Sequence, residues 1–410
     1  MKSNMTPLTE LLIAIVDNRG KTVPTSNYGT PLIATNCIKH SSIYPTFDNV
    51  RYVNEEVMQN WFRAHPKPND IIFVNKGTPG RVCLVPDPVS FCFAQDMMGF
   101  RCDPKKIDYQ YLFAVLRSKF IQQKIENFHV GLVIPHFRKG DLDHIKIPRL
   151  SSRQLELAVG NLYLNLSKKI EINNQINAEL EAMAKTLYDY WFIQFDFPNA
   201  DCKPYKSSGG KMVYNEVLKR EIPERWEAKV LADIANITMG QSPSGSSYNS
   251  EGIGTIFFQG STDFGWLFPT TRQYTTEPNR MAKKGDILLS VRAPVGTMNI
   301  AKDDCCIGRG LAALNSKTGS DSFLFYVMQY YKQIFDYRNS EGTTFGSINK
   351  DDLHSLPLAY PTSDLLNKYD EIVSQSNKLV FEKGMENIQL EELRDWLLPM
   401  LMNGQVTISE

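Results

Sequence analysis

A long internal repeat is the feature that most constrains the fold of this 410-residue chain. The run Asp70–Ile72 returns 216 residues later as Asp286–Leu288, and a short glycine-containing turn follows each copy (Gly77–Gly80 and Ala293–Gly296). Further along, Lys139–Leu142 is also repeated, 211 residues later. Because these offsets are close to half of the chain, the repeat predicts two homologous globular domains.

Each copy of the repeat leads through a proline (Pro148, Pro361) into a segment with the hydrophobic spacing of a coiled coil. The apolar residues recur in a 4-3-4 rhythm, and the same frame returns in the second copy at an offset of 210 residues. Such a rhythm is typical of the seam between paired helices. The predicted seam residues are Leu155, Val159, Leu162, Leu166, Ile176, Leu180, Met183 and Leu187, then Leu365, Tyr369, Ile372, Leu379, Leu390, Leu393 and Leu397.

Polar residues interrupt both seams near their middle, at Lys169 and Asn173 in the first helix and at Ser376, Lys383 and Glu386 in the second. Polar centres meet whether the helices pair parallel or antiparallel, so this patch sets the register rather than the direction. The direction follows from the chain, because a near two-fold repeat with a globular domain between the helices favours antiparallel pairing. Helices of about 35 to 40 residues would form a rod of about 55 Å. The alternative is that both are ordinary core helices of one compact domain.

The predicted fold class is therefore α+β, with two homologous globular domains separated by two long helices that form an antiparallel coiled coil, in a pseudo-two-fold internal repeat. Each globular domain combines short β-rich runs, such as Ile71–Val74 and Ile287–Ser290, with one amphipathic helix, near Tyr109–Ile125 and Ser322–Tyr337. The predicted divisions are a first domain at 1–147, a helix segment at 148–198, a Pro/Gly/Ser-rich linker at 199–221, a second domain at 222–358 and a second helix segment at 359–410.

Composition and cysteine usage place the chain among cytoplasmic proteins. No apolar run approaches the roughly 20 residues of a membrane helix, and Leu11–Val16 is a buried strand or helix rather than a signal peptide. The seven cysteines are scattered without a C-x-x-C pair, so neither a disulfide framework nor a zinc site is expected. The vicinal pair Cys305–Cys306 is predicted to be buried in a strand.

The motifs of the common enzyme classes are missing from the sequence. Ser208–Lys211 resembles the end of a phosphate-binding loop but lacks its first glycine and a preceding strand. No G-x-G-x-x-G follows a strand, no H-E-x-x-H or methyltransferase Asp/Asn-Pro-Pro-aromatic box occurs, and the six histidines show no ligand spacing. We therefore predict a recognition protein without catalytic residues or a metal site.

The net charge of the chain bears on whether it can bind nucleic acid. The 45 basic and 45 acidic residues cancel, whereas nucleic-acid binders usually carry a basic excess. Either nucleic acid is not the ligand, or other subunits supply part of the phosphate contacts. Basic residues also gather locally (Arg63, His65, Lys67, Lys76 and Arg81), but such groups are more often solvated surface than binding sites.

Several short motifs give the chain a specific resemblance. Their order and the duplicated layout resemble the specificity subunit of type I restriction–modification enzymes over the whole length. The motifs are Leu187–Phe192, Phe195–Pro198, Lys203–Met212, Ile222–Trp226, Gly285–Leu288 and Gly308–Leu311.

This resemblance implies a function and a set of partners. Two target-recognition domains would each read half of a bipartite double-stranded DNA site, while the helices would space them and dock two modification (methyltransferase) subunits. Restriction (translocase/nuclease) subunits would complete the complex. No cofactor is then expected in this chain, with S-adenosylmethionine, ATP and Mg on the partner subunits. A protein scaffold that does not bind DNA, and an enzyme with an unrecognised site, remain as alternatives.

Base recognition uses Arg or Lys for guanine, Asn or Gln for adenine, and Asp or Glu for cytosine. The polar loops of the two domains offer such side chains, although ordinary polar turns would look the same. Since the two sets differ, they predict an asymmetric target with two unlike half-sites. The candidates are Arg19, Lys21, Thr22, Asn36, Lys39, Asn75, Lys76, Arg81, Arg138 and Lys139 in the first domain, and Gln241, Ser242, Gln259, Ser261, Thr262, Asp263, Arg292, Arg309, Thr343 and Thr344 in the second.

Overall fold

The computed structural model describes residues 4–18, 22–128, 136–340 and 347–406. The chain forms two compact units, the first built from residues 1–175 and 385–410, the second from residues 176–384. No helix in the described ranges is both long and apolar enough to cross a membrane. The five predicted divisions of the chain stay a prediction.

In the described residues, the globular part of the first unit contains nine strands and three α-helices. The strands are β1 (Asn4–Pro7), β2 (Leu12–Val16), β3 (Thr30–Ile33), β4 (Arg51–Val53), β5 (Ile71–Val74), β6 (Val82–Leu84), β7 (Cys92–Phe93), β8 (Met97–Cys102) and β9 (Lys146–Arg149), and the helices are α1 (Glu55–Asn60), α2 (Tyr109–Arg117) and α3 (Lys119–Phe128). Short 3-10 turns lie at Leu8–Leu11, Thr35–Cys37 and Lys139–His144. The main sheet has the order β2-β8-β5-β6, a smaller sheet has the order β4-β3-β7, and β1 pairs with β9.

The core of the first unit lies between the main sheet and α2. All four residues of β5 are buried, as expected for the predicted strand Ile71–Val74. The single helix predicted near Tyr109–Ile125 is wrong, because α2 and α3 are separated at Ser118. This residue is extended, and its hydroxyl donates to the Val115 carbonyl at 2.6 Å, which replaces the helical continuation.

A long helix, α4 (Arg153–Tyr188), follows β9 and continues through a π-helical turn at Asp189–Ile193. The Ser152 hydroxyl accepts a hydrogen bond from the Leu155 amide at 3.2 Å and so caps the first turn. Glu156, 1% exposed, binds Arg149 of β9 through two charge-assisted hydrogen bonds of 2.7 and 2.8 Å. This buried ion pair fixes the angle at which the helix leaves the sheet.

The second unit repeats the architecture of the first. Its strands are β10 (Met212–Asn215), β11 (Arg220–Pro223), β12 (Glu227–Val230), β13 (Ala235–Met239), β14 (Tyr248–Asn249), β15 (Thr255–Phe258), β16 (Tyr274–Thr275), β17 (Met281–Ala282), β18 (Ile287–Ser290), β19 (Met298–Ile300), β20 (Cys305–Ile307), β21 (Leu311–Ser316) and β22 (Pro357–Tyr360), and its helices are α5 (Leu231–Ile234), α6 (Asp321–Ser340) and α7 (Lys350–His354). Short 3-10 turns lie at Gly245–Ser247 and Ser261–Asp263.

The sheet orders show the duplication. The main sheet of the second unit, β13-β21-β18-β19, matches β2-β8-β5-β6 strand for strand. The second sheet, β14-β16-β15-β20-β17, contains the parallel pair β15–β20, which matches β3–β7. β12 pairs with β22 as β1 pairs with β9. The predicted α+β fold with two homologous domains is confirmed, and Cys305 and Cys306 are buried in β20 as expected.

The predicted linker, 199–221, is an ordered part of the second unit. Its final residues form the β10–β11 hairpin. Upstream, the Asp196 carboxylate accepts hydrogen bonds from the amide and hydroxyl of Ser207 at 2.7 and 2.6 Å. The rings of Phe197 and Tyr205 stack at 4.6 Å between centroids. These contacts hold the segment in a defined conformation despite its Pro/Gly/Ser-rich composition.

The last helix, α8 (Ser363–Met402), runs antiparallel to α4 within each unit. In the first unit, the Arg394 guanidinium lies 5.6 Å from the centre of the Tyr163 ring. Ten residues later on α4, Asn173 contacts Asn387, which lies earlier on α8 than Arg394. In the second unit, the Tyr369 hydroxyl donates to the Ala184 carbonyl at 3.4 Å. The predicted antiparallel pairing is therefore confirmed.

The polar interruption of the seam is a hydrogen-bonded cluster in the first unit. The Asn173 amide donates to Glu386 Oε2 at 3.0 Å and to Asn387 Oδ1 at 2.9 Å. Asn387 in turn donates to Asn174 Oδ1 at 2.8 Å, and Lys169 Nζ lies 3.5 Å from Glu386 Oε1. Since Asn173 is fully buried, a shift in register would leave its amide without partners.

The predicted frame of the seam needs a correction. Met183, Ile372, Leu379 and Leu393 are 67%, 53%, 37% and 43% exposed, so these four residues do not lie in a buried seam. Of the others, Val159, Leu365 and Tyr369 are buried and the rest half-buried. The most buried line runs one residue later, through Glu156, Gly160, Tyr163, Ser167, Asn177, Ala184 and Tyr188 on α4, and through Leu366, Val373, Val380 and Leu398 on α8.

The shift arises because each helix packs against a globular domain as well as against its partner helix. A Cβ atom at Gly160 would lie 2.5 Å from the Tyr111 amide nitrogen, so the glycine admits the backbone of α2. At Gly384 a Cβ would lie 2.8 Å from the Phe268 ring. Small and polar residues therefore occupy the line of closest approach, and the apolar residues flank it.

We expect Asn173→Ala to lower the free energy of unfolding by about 1 to 3 kcal/mol, because it leaves buried groups on Glu386 and Asn387 without their donor. Urea unfolding followed by circular dichroism measures the loss. Gln175→Ala, at an exposed position on the same helix, is the control and should change stability by less than about 0.5 kcal/mol. Equal effects of the two substitutions would show that the polar cluster does not stabilise the pairing.

Candidate nucleic-acid interface

In the second unit, the predicted polar loops meet where strands of the main sheet and of the second sheet end side by side. The Gln241 amide donates to the Ile307 carbonyl at 3.0 Å, and the Gly310 amide donates to the Gln259 carbonyl at 3.2 Å. The Val291 amide donates to the Gly310 carbonyl at 3.0 Å. These backbone bonds join the ends of β13, β15, β18 and β20 into one surface and give its side chains a fixed spacing.

The centre of this surface is a group of four residues, which we call the Gln259 cluster: Gln241, Ser242, Gln259 and Arg309. The Gln259 amide donates to Ser242 Oγ at 2.9 Å, and the Arg309 backbone amide approaches the same oxygen at 3.4 Å. A Cβ at Gly308 would lie 2.8 Å from Gln259 Oε1, so that glycine leaves room for the glutamine. Gln241 and Arg309 are exposed.

Two further cationic and polar groups border the Gln259 cluster. Arg292 is exposed, and neither Arg292 nor Arg309 forms a side-chain hydrogen bond or ion pair with any residue in the described ranges. Ser261 is half-buried and Thr262 exposed. The Asp263 carboxylate is paired with Arg272 and only 10% exposed, so its charge is already compensated.

The equivalent edge of the first unit is assembled in the same way. The Asn75 amide donates to the Asp96 carbonyl at 3.0 Å, and the Phe137 amide donates to the Asn75 carbonyl at 2.7 Å. Asn75 is 1% exposed, and its Nδ2 lies 3.5 Å from His136 Nε2. The prediction that Asn75 contacts DNA is therefore corrected. Asn75 directly follows the buried strand β5, so it is buried too and connects the loops through its backbone hydrogen bonds.

The cationic candidates of the first unit differ from those of the second, because most are paired with acids. Lys76 Nζ lies 3.7 Å from Asp96 Oδ1, Lys139 Nζ lies 3.5 Å from Asp17 Oδ2, and Lys39 pairs with Asp48. Arg138 is exposed and Arg81 half-buried, and within the described part of the chain neither has an ion-pair partner.

The remaining candidates of the first unit are more scattered. Thr22 and Asn36 are exposed, and the Asn36 amide donates to the Asp48 carbonyl at 3.0 Å. Arg19, Lys21, Thr343 and Thr344 lie outside the described residues. Burial, with the positive charges of Arg117 and Arg81, lowers the pKa of His40, so this side chain is neutral near pH 7.

The acidic partners of the lysines were missed by sequence reasoning. Asp17 and Lys139 are 122 positions apart, and only the folded topology brings β2 and the 3-10 turn at Lys139–His144 together. Asp96 lies in the segment before β8 and has a φ of 73°, which no spacing rule indicates. Among residues 4–18, 22–128, 136–340 and 347–406, no three His, Cys, Asp or Glu side chains are grouped to hold a metal ion.

Comparison with known proteins identifies the class to which this duplicated fold belongs. The family model of the type I restriction modification DNA specificity domain matches residues 13–182 and again residues 223–378. These two matches together cover most of the chain. The chain therefore belongs to the family of type I restriction–modification DNA specificity subunits, and it carries two tandem DNA specificity domains.

Individual relatives agree with the family match. The chain is 29% identical to a protein described as the specificity subunit of type I restriction enzyme MjaX of Methanocaldococcus jannaschii, over 93% of this chain and 88% of that protein. It is 22% identical to the MjaIX specificity subunit of the same organism, over 85% of this chain and 80% of that protein. The S subunit of a type I system from M. genitalium shares the fold, with a TM-score of 0.55, 19% identity and coverage of 98% and 96% of the two chains.

The protein is therefore a DNA-recognition subunit, and the exposed arginines allow a test of its interface. We expect Arg309→Ala, in the assembled complex, to weaken DNA binding and to reduce the slope of log affinity against log salt by about 0.9, if this side chain contacts one phosphate. Fluorescence anisotropy at several salt concentrations measures both quantities. Arg225→Ala, which removes an exposed arginine before β12, is the control. An unchanged affinity in Arg309→Ala would remove this residue from the interface.

Proposed function

We propose that this chain recognises an asymmetric, bipartite double-stranded DNA target, with one half-site read by each unit, and docks two modification subunits through its helices. The observation that carries this proposal is the pair of equivalent loop edges. The same strand ends build both edges, yet one presents the Gln259 cluster and the other presents lysine–aspartate pairs. Equivalent surfaces with different chemistry suit a target whose two halves differ in sequence.

The side chains of the second unit suit purine recognition. A glutamine amide can form two hydrogen bonds with adenine, and an arginine can form two with guanine. Gln259 is held by Ser242, so little side-chain entropy is lost when it meets a base edge. Arg292 and Arg309 are exposed beside it and supply positive charge for guanine or phosphate.

The first unit offers donors and acceptors together. In the Lys76–Asp96 and Lys139–Asp17 pairs, each lysine is already compensated by a carboxylate. Phosphates must compete with these acids, so the unit binds unspecific DNA weakly, in keeping with the zero net charge of the chain. Partner subunits would supply the missing phosphate contacts.

The helices leave apolar side chains exposed where partner subunits can bury them. In the second unit these are Met183, Ile372 and Leu379, and in the first unit Leu157, Ile172, Leu393 and Trp396. Exposed apolar residues of this kind mark protein interaction sites. We place the modification subunits there, with S-adenosylmethionine bound to them, and restriction subunits with ATP and Mg as further members of a cytoplasmic complex.

Methylation mapping tests the proposal. The chain is expressed with its cognate modification subunit in a host that lacks other methyltransferases, and modified adenines are located by single-molecule sequencing. We expect a split motif, methylated on both strands across a fixed gap. Gln259→Ala should relax one half of the motif and leave the other intact. An assembled complex that methylates no defined motif would instead support the scaffold alternative.

The helix lengths predict how the gap is set. The 36 residues of α4 and the 40 residues of α8 correspond to about 54 and 60 Å at 1.5 Å per residue. We expect seven residues inserted into both helices, after Gln175 and after Gly384, to add about 10 Å and lengthen the preferred gap by about three base pairs. Both half-site sequences should stay the same, as read by methylation mapping.

The control inserts the same seven residues into the turn of the β10–β11 hairpin, which is not part of either helix. The gap should then keep its original length. A change in the half-site sequences, or an unchanged gap in the helix variant, would contradict the role of the helices as a spacer.

A further inference from the structure

The second unit contains a largely apolar cavity of about 470 Å³ that no part of DNA recognition uses. It lies between α6, the two long helices and the β18–β19 side of the main sheet. Its apolar walls are formed by Leu267, Ile287, Ile300, Phe325, Val380 and Phe381. Cavities of this size and character commonly hold small organic molecules.

Glu181 of α4 lines this cavity and an adjoining one of about 360 Å³. Its carboxylate forms neither a hydrogen bond nor a salt bridge with any residue that the structure describes. Burial raises the pKa of Glu181 to about 7. A half-buried carboxylate without a partner is unusual, because desolvation of a charge is costly unless a counter-charge or donor compensates it.

The other charged groups around the two cavities do not supply that counter-charge. Lys378 Nζ lies 3.9 Å from Glu382 Oε1, and Lys332 is paired with Asp336. Each of these two lysines therefore already has an acidic partner on its own helix. Lys284 Nζ lies 5.7 Å from the centre of the Phe381 ring on the cavity wall and forms no ion pair with Glu181.

Asp321 adds a second carboxylate to the cavity. It accepts a hydrogen bond from the Ser316 amide at 2.6 Å, and burial raises its pKa. The neutral lining residues Asn377 and Ser322 are bonded to each other at 3.0 Å. Above neutral pH the cavity thus presents two carboxylates that lack a cation.

We propose that this cavity binds a small organic cation that carries a primary ammonium on an apolar stem. The ammonium would pair with Glu181, and the stem would pack against Phe325, Ile300 and Val380. The cavity volume is larger than a molecule of hexylammonium, so this probe can enter it. Such a ligand would contact the long helices, α6 and the β18–β19 strands at the same time. It would therefore stabilise the packing of these elements in the second unit.

The test compares two probes of equal size, hexylammonium and hexan-1-ol, on the full chain at pH 8. We expect hexylammonium to raise Tm and to bind at least tenfold more tightly than hexanol in isothermal titration calorimetry. In Glu181→Gln this preference should disappear, while hexanol binding stays. Glu179→Gln, at an exposed position of the same helix, is the matched control and should keep the preference.

A second measurement needs no variant. At pH 5.5 Glu181 is largely protonated, so the preference of the wild-type chain for hexylammonium should be at least severalfold smaller than at pH 8. Binding of both probes with equal affinity at pH 8, no binding of hexylammonium at millimolar concentration, or a preserved ammonium preference in Glu181→Gln would each overturn the proposal.

Discussion

The contact between Asn173 and its partners Glu386 and Asn387 is the interaction on which the helix pairing depends. A buried amide with two specific acceptors tolerates few registers, because sliding either helix by one turn would strand it among apolar groups. Apolar contacts along the rest of the helices are less selective, since neighbouring registers bury similar area. The polar cluster thus replaces some apolar contact between α4 and α8, and in return it defines the register of the two helices.

That alignment has consequences for the globular domains, because each is joined to the helices by close contacts. Gly160 meets the backbone of α2, and Gly384 meets the Phe268 ring. Arg149 and Glu156 add a buried charge pair at the start of α4. The loop edge that we propose to read a base is therefore connected to the helices through packed elements. This rigidity suits a protein that must hold recognition loops in fixed positions.

Much of the fold could be predicted from the sequence, and the failures have physical reasons. The repeat, the buried strands β5 and β18 and the antiparallel pairing follow from local patterns that tertiary contacts reinforce. The predicted seam frame is one residue out, because the apolar spacing does not register Gly160, Ser167 and Asn177, which are small or polar and yet buried. The break at Ser118 depends on a side-chain hydrogen bond that periodicity does not register.

The candidate interface, too, is only partly predictable from the sequence. The polar loops between hydrophobic runs lie at strand ends in both units, since strand ends follow from the hydrophobic pattern. Whether a side chain points outward did not follow, and Asn75 proved to be buried. Ion pairs such as Lys139–Asp17 connect distant parts of the chain, so only the folded topology reveals which charges are already compensated.

The pairing of β1 with β9, and of β12 with β22, means that each globular domain starts and finishes on two neighbouring strands. The Cα partners Asn4–Arg149 and Glu227–Tyr360 close the two domains at their bases. A stretch of chain whose two ends are neighbours can be exchanged for another of different length without displacing the helix that follows it. Each domain is thus closed by its own first and last strands, so a change of length inside it leaves the start of the following helix in place.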